Sequence, residues 1–182
     1  MRSIVLSTII IFSLCVSLFA DDSPSSLQRE INANDGVISL CEQCLPQLVT
    51  WFVSLQGFDW YTPVASLAGT QWYESGLQEQ WTFTQSMMAG EVYLDELVDD
   101  YYLASLCNAD AQTKYNFEWS TIVNGGAPDW YQVRFELLTA QPRVNRIGPW
   151  ILSIDAALRT ATTAMEAIGN LVTMSQWQMG GM

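Results

Sequence analysis

The chain contains no histidine and little positive charge: seven Lys and Arg residues stand against 19 Asp and Glu, a formal net charge of −12. The first absence removes the side chain that most often moves protons near neutral pH, and with it the commonest metal ligand. Ser-His-Asp and Cys-His nucleophiles cannot be assembled, nor can the usual catalytic zinc site. The scarcity of cations leaves a surface that repels phosphate backbones and anionic headgroups, which argues against nucleic-acid and peripheral membrane roles. Carboxylate-only catalysis and oxygen-ligated Ca²⁺ sites survive these exclusions, but no motif supplies either. The expectation is a protein without catalytic residues, metal or cofactor.

Long apolar runs are scarce too, with one exception. Residues 1–20 place Arg2 before an apolar run from Ile4 to Phe19, and Ala20 ends it just ahead of Asp21-Asp22. The run is short for a membrane span and no Lys or Arg follows to stop transfer, so it reads as a cleaved secretory signal. An uncleaved anchor is the alternative, because Leu18 is bulky for its place before the cleavage point. Lipid modification at Cys15 is disfavoured by the large Leu14 before it. The expected location is therefore periplasmic or secreted, which sets aside cytosolic metabolism and nucleotide-driven chemistry. Without the signal, 162 residues remain, carrying 19 acidic and six basic side chains for a net charge of −13. The six are Arg29, Lys114, Arg134, Arg143, Arg146 and Arg159. This length suits one compact domain, and no second membrane span is expected.

What is present is helical periodicity. Residues 21–35 are polar and read as a flexible leader, and the composition turns apolar at Gly36. Pro46 suits the first turn of a helix carrying Leu45, Leu48, Val49, Phe52 and Leu55, which ends at Gln56-Gly57. Residues 57–70, punctuated by Gly57, Pro63 and Gly69, read as a connection. A helical zone comes next, over 71–107. Residues 108–141 admit two readings. Alternating aromatics around Asn124-Gly125-Gly126 would suit a small β-hairpin over about 115–137, whereas Pro128-Asp129 opens a helix over 129–140, which is preferred.

The clearest pattern comes last. Ile151, Ile154, Leu158, Ala161, Met165, Ile168 and Val172 are spaced alternately three and four apart, on a helix expected over about 149–178 and opened by Pro149. Such a seam either covers the core of its own domain or pairs with a helix of another chain, so these seven residues are the interface candidates. The fold expected is mainly α: a single bundle-like helical domain over 36–182.

Three groups invite chemistry. Cys41-Glu42-Gln43-Cys44 has redox spacing, but Glu42 opposes a thiolate and no βαβ pattern surrounds it. In an exported protein a structural disulfide is the better account, with 41–107 or 44–107 preferred to 41–44; closing so long a loop would stabilise by roughly 4 kcal/mol. The acidic row Glu91, Asp95, Glu96, Asp99 and Asp100 lacks a Ca²⁺-wrapping loop and reads as a solvated face, or as a docking surface for a basic partner. The clusters Gln71-Trp72-Tyr73 and Asp129-Trp130-Tyr131 are the natural sugar-stacking platforms, although aromatics at helical spacing are more often core.

Trp130-Tyr131, then Leu138-Thr139-Ala140-Gln141-Pro142-Arg143-Val144-Asn145-Arg146, then a long Ala-rich amphipathic helix, resembles the tail of the IcmX-like exported proteins. Those accompany bacterial type IVB (Dot/Icm) secretion and conjugation systems. The likeness covers about 50 residues, differs in its Pro-to-Val spacing, and carries over no functional residues. It implies a periplasmic, non-catalytic accessory of an envelope-spanning machine. The expected function is thus helix-mediated association with protein partners or with itself. The alternative is an extracytoplasmic ligand- or glycan-binding module using the Trp and Tyr clusters.

Overall fold

The computed structural model describes residues 22–180, so the segment read as a secretory signal lies outside the described residues. The chain is mainly α. Among the described residues four helices succeed one another: α1 (Pro24–Gln56), α2 (Tyr61–Ser66), α3 (Tyr73–Val123) and α4 (Tyr131–Gly180). The same residues contain no strand.

The segment expected as a flexible leader is instead the opening of α1. Ser23 Oγ accepts the Ser26 N–H at 3.3 Å and Pro24 takes the first turn, where its missing N–H costs nothing. From there Leu27, Ile31, Asn34, Ile38, Cys41, Leu45, Leu48, Phe52 and Leu55 alternate in steps of four and three residues. All but Leu45 are buried. The seam is continuous, and it begins well before Gly36 because Asn34 and Cys41 fill core places that a hydrophobicity pattern reads as breaks.

Pro46 and Pro149 do not open helices; they lie inside α1 and α4, as does Pro142 in α4. Each is exposed, and so are Glu42, Leu138 and Asn145, four residues earlier. The carbonyls deprived of an N–H partner therefore belong to solvent-facing residues, where water satisfies them at modest cost. No hairpin forms either. Asn124-Gly125-Gly126 ends α3: Gly126 N–H reaches Thr121 O and Gly125 N–H reaches Ile122 O, both at 2.9 Å, with Gly125 at φ +79°. That pairing is a Schellman cap, which requires a left-handed residue and so takes glycine. Asp129 then accepts the Tyr131 N–H at 3.0 Å and starts α4, eighteen residues before Pro149.

The chain divides into two compact units. Among the described residues, the first comprises those up to Cys44 with Glu96–Ile151, and the second Leu45–Asp95 with those from Leu152 onward. In the first unit Leu27, Ile31, Ala111, Val133 and Leu137 form a buried cluster, covered by Tyr115 and Trp130. Polar groups share this interior. Asn34 Nδ2 donates to Asn108 Oδ1 at 3.0 Å, and Asn108 Nδ2 donates to Ile31 O at 3.1 Å and Asp35 Oδ1 at 2.7 Å. Buried amides are tolerated because each is bonded.

The second unit has a mostly apolar interior. Phe52, Leu55, Val64, Leu67, Phe83, Ile154, Leu158 and Ile168 are buried. Phe58 meets Phe83 edge-on at 5.5 Å. Gly90 is buried against its neighbours, and a Cβ there would make ordinary contacts, 3.5 Å from Leu158 Cδ2 and 3.8 Å from both Ala157 Cβ and Phe52 Cδ2.

Candidate functional site

The seven seam residues of α4 turn inward. Ile151, Ile154, Leu158, Ala161 and Ile168 are buried, and Met165 and Val172 are half-buried. They are core of this chain rather than an interface, because a 3–4 repeat serves both purposes equally and the neighbouring helices of the same chain claim it. What these helices offer to any other molecule is therefore their outward faces.

The cysteines form no bridge; Cys41, Cys44 and Cys107 are free thiols. Cys41 and Cys44 share one helix three residues apart, where Cβ atoms stand about 5–6 Å apart, too far for a relaxed disulfide. Cys107 sits next to Asn108, which takes the place facing α1, and its electrostatic neighbours are Glu136, Arg143, Asp110 and Lys114. Burial, reinforced by Cys44 and Glu42, pushes the Cys41 thiol up to about 12, so it is a thiol rather than a nucleophilic thiolate at neutral pH.

The acidic row does not act as one group. Asp100 is buried and accepts Arg146 in a bidentate pair, at 2.8 Å from Nε and 2.5 Å from Nη2, and Trp150 Nε1 at 2.8 Å. Burial opposes its charge, but the bonds from Arg146 and Trp150 and the charges of Arg146 and Arg143 outweigh that, holding its carboxyl below the ordinary carboxylate range. Glu91, Asp95, Glu96 and Asp99 remain exposed. Among the described residues no cluster of His, Cys, Asp and Glu is arranged to hold a metal ion.

The two aromatic platforms differ. Trp130 lies 5.4 Å from Tyr115 and covers the first unit's core, so it is packing. Trp72 lines an open cleft of about 410 Å³ in the second unit with Thr173, Met174, Trp177 and Gln178. Gln71 Nε2 donates to Gln178 Oε1 at 3.3 Å beside it. Two indoles and a thioether make a surface for apolar groups, with Thr173, Gln178 and the indole N–H groups able to hydrogen-bond.

The pattern that sequence reasoning missed lies on α3. Leu77, Trp81, Met88 and Val92 are 42%, 61%, 57% and 58% exposed. Offsets of 4, 7 and 4 residues put them on one face of a helix, over about 22 Å. The exposed carboxylates Glu74, Glu91 and Asp95 rim this face. Residues 30–113 contain no Lys or Arg, and Arg159, the one cation of the second unit, is held by Asp155 at 2.7 Å and 3.1 Å. The first unit likewise exposes Tyr102 and Leu106 on α3, and Phe135 and Leu138 on α4. Their spacing was legible; what the sequence lacked was which face of each helix points outward.

No protein-family model, curated protein or solved structure matches the chain. No helix among the described residues is long and apolar enough to cross a membrane, so these exposed apolar faces belong to helices unsuited to spanning one.

Proposed function

We propose that this is an exported, non-enzymatic protein that works by helix-mediated association with other proteins, as an accessory or structural component of a bacterial envelope secretion or conjugation assembly. The observation that carries the reading is the row of large apolar side chains left on the outer faces of packed helices, Trp81 and Met88 foremost. Isolated surface apolar residues need no explanation, but aligned ones rimmed by charge have the anatomy of an interface. The signal segment and the absence of histidine support export and a non-catalytic role. The likeness of the C-terminal stretch, from Trp130 through the long Ala-rich helix, to IcmX-like proteins supports the envelope setting. Photo-crosslinking from Val92, Phe135 and Leu138 in the source cells, with light scattering of the purified mature chain, tests the proposal. Discrete adducts or a defined oligomer are expected. A monomer with no adduct at any of these positions overturns it.

A second reading has one observation in its favour, the Trp72–Trp177 cleft. It makes the chain a binding module for small apolar ligands. A change in Trp fluorescence on adding apolar probes, abolished by Trp177→Ala, is the expected outcome; silence in that titration and on glycan arrays removes it.

A further inference from the structure

The outer face of α3 in the second unit combines three things: an apolar stripe, an acidic rim, and no positive charge to answer it. We infer that this face, from Leu77 to Val92, docks a basic amphipathic helix of another protein, its apolar stripe laid on Trp81 and Met88 and its Lys or Arg side chains against Glu74, Glu91 and Asp95. The inference rests on the association reading above and names the chemistry of the partner.

The apolar stripe sets the occupant's form. Leu77, Trp81, Met88 and Val92 run along about four turns of helix, so the matching partner is a helix of about 15 residues presenting its own apolar positions three and four apart. Trp81 is the anchor. An indole this exposed removes a large apolar area from water on docking and is the residue type most often found at the energetic centre of interfaces. Met88, unbranched and polarizable, adapts to the shape of whatever meets it.

The rim sets the occupant's charge. A second copy of this face would bring Glu74, Glu91 and Asp95 against the same carboxylates, with no local cation to separate them, since the second unit's Arg159 is already bonded to Asp155. Like charges juxtaposed across an interface are strongly unfavourable, and a cationic partner converts the same rim into attraction and faster encounter. An anionic lipid surface is repelled by the same field.

The test uses the full mature chain and three synthetic helical peptides. One carries a Leu stripe flanked by Lys, one the same stripe flanked by Glu, and one Lys flanks with Ala in place of Leu. Binding is read from Trp emission and from backbone NMR shifts mapped onto α3. The Lys-flanked Leu peptide should bind at least about tenfold tighter than either control and weaken as salt rises to about 0.3 M. Trp81→Ala should lower its affinity at least about tenfold, and Glu91→Lys combined with Asp95→Lys should remove its preference over the Glu-flanked peptide. Equal binding of the Lys- and Glu-flanked peptides overturns the charge assignment. Shifts confined to other surfaces overturn the location, and sedimentation of the chain alone as a dimer that Trp81→Ala dissolves overturns the choice of a foreign partner. If these fail while crosslinks from Phe135 and Leu138 persist, association stands and this occupant falls.

Discussion

The two units solve the same packing problem with different chemistry. The first buries polar and charged groups among its apolar side chains: Asn34 and Asn108 bond each other, and Asp100 bonds Arg146 and Trp150. It also joins helices through Arg134 to Glu30 and Lys114 to Glu136. The second holds together mainly with apolar side chains, among them the Phe58–Phe83 contact. Its one cation bonds a carboxylate on its own helix. Buried polar pairs have fewer acceptable alternatives than apolar contacts, so the first unit specifies the register of its helices, while the second relies on shape. The difference also distributes charge. Five of the six Lys and Arg side chains among the described residues lie in the first unit, which leaves the second with unanswered carboxylates around an exposed apolar stripe.

The largest way to break the comparison lies in the second unit. Leu158→Ala empties a fully buried site beside Gly90 and should destabilise by about 2–5 kcal/mol in chemical denaturation, whereas a loss under about 1 kcal/mol would mean the apolar core collapses easily. Next comes the first unit's buried network. Asn108→Ala strands the buried Asn34 Nδ2 and should cost about 1–3 kcal/mol, while Asn108→Leu combined with Asn34→Leu should recover part of the loss. If the double replacement is as damaging as the single one, shape rather than hydrogen bonding governs that site.

Acid should separate the units. The folded Asp100 carboxyl lies below its ordinary value of 3.8, so its contribution is present at neutral pH and lost as pH falls through the lower, folded value. Hydrogen exchange below pH about 4 should loosen the amides around Asp100 and Arg146 first, and Asp100→Asn should flatten that dependence. Uniform loosening across both units would erase the distinction. The smallest effects concern reactivity and propensity. A thiol reagent at pH about 8 should label Cys44 and Cys107, both half-buried, well before Cys41. Gly169→Ala, with open space where its Cβ would stand, should stabilise α4 by up to about 1 kcal/mol, measured by thermal unfolding.

Much of this fold was legible where apolar residues repeat. The step pattern from Ile151 to Val172 marks the buried face of α4, and Gln56-Gly57 marks the end of α1. It failed where a core place is polar, as at Asn34, or where a breaker is harmless, as at Pro46 and Pro149 on exposed positions. It also failed at Asn124-Gly125-Gly126, because a hairpin turn and a Schellman cap both want a glycine in the left-handed region. Only the conformation of the residues after the turn, here the opening of α4, decides between the two. Of the proposed docking face, the acidic residues were legible and the apolar stripe was not, since Leu77, Trp81, Met88 and Val92 look like core until the opposite side of α3 is seen to be buried.

By itself the sequence determined the helical class, the acidic and histidine-free chemistry, and the periodic faces able to pack. Those arise from local propensity, composition and spacing, which need no partner. Tertiary structure decided which faces were covered: α4's seam by its own chain, Cys41 as a buried free thiol, Asp100 by Arg146, and Trp81 by nothing within the second unit's core. A repeat specifies that a face will be buried, and only the arrangement of the other helices specifies against what.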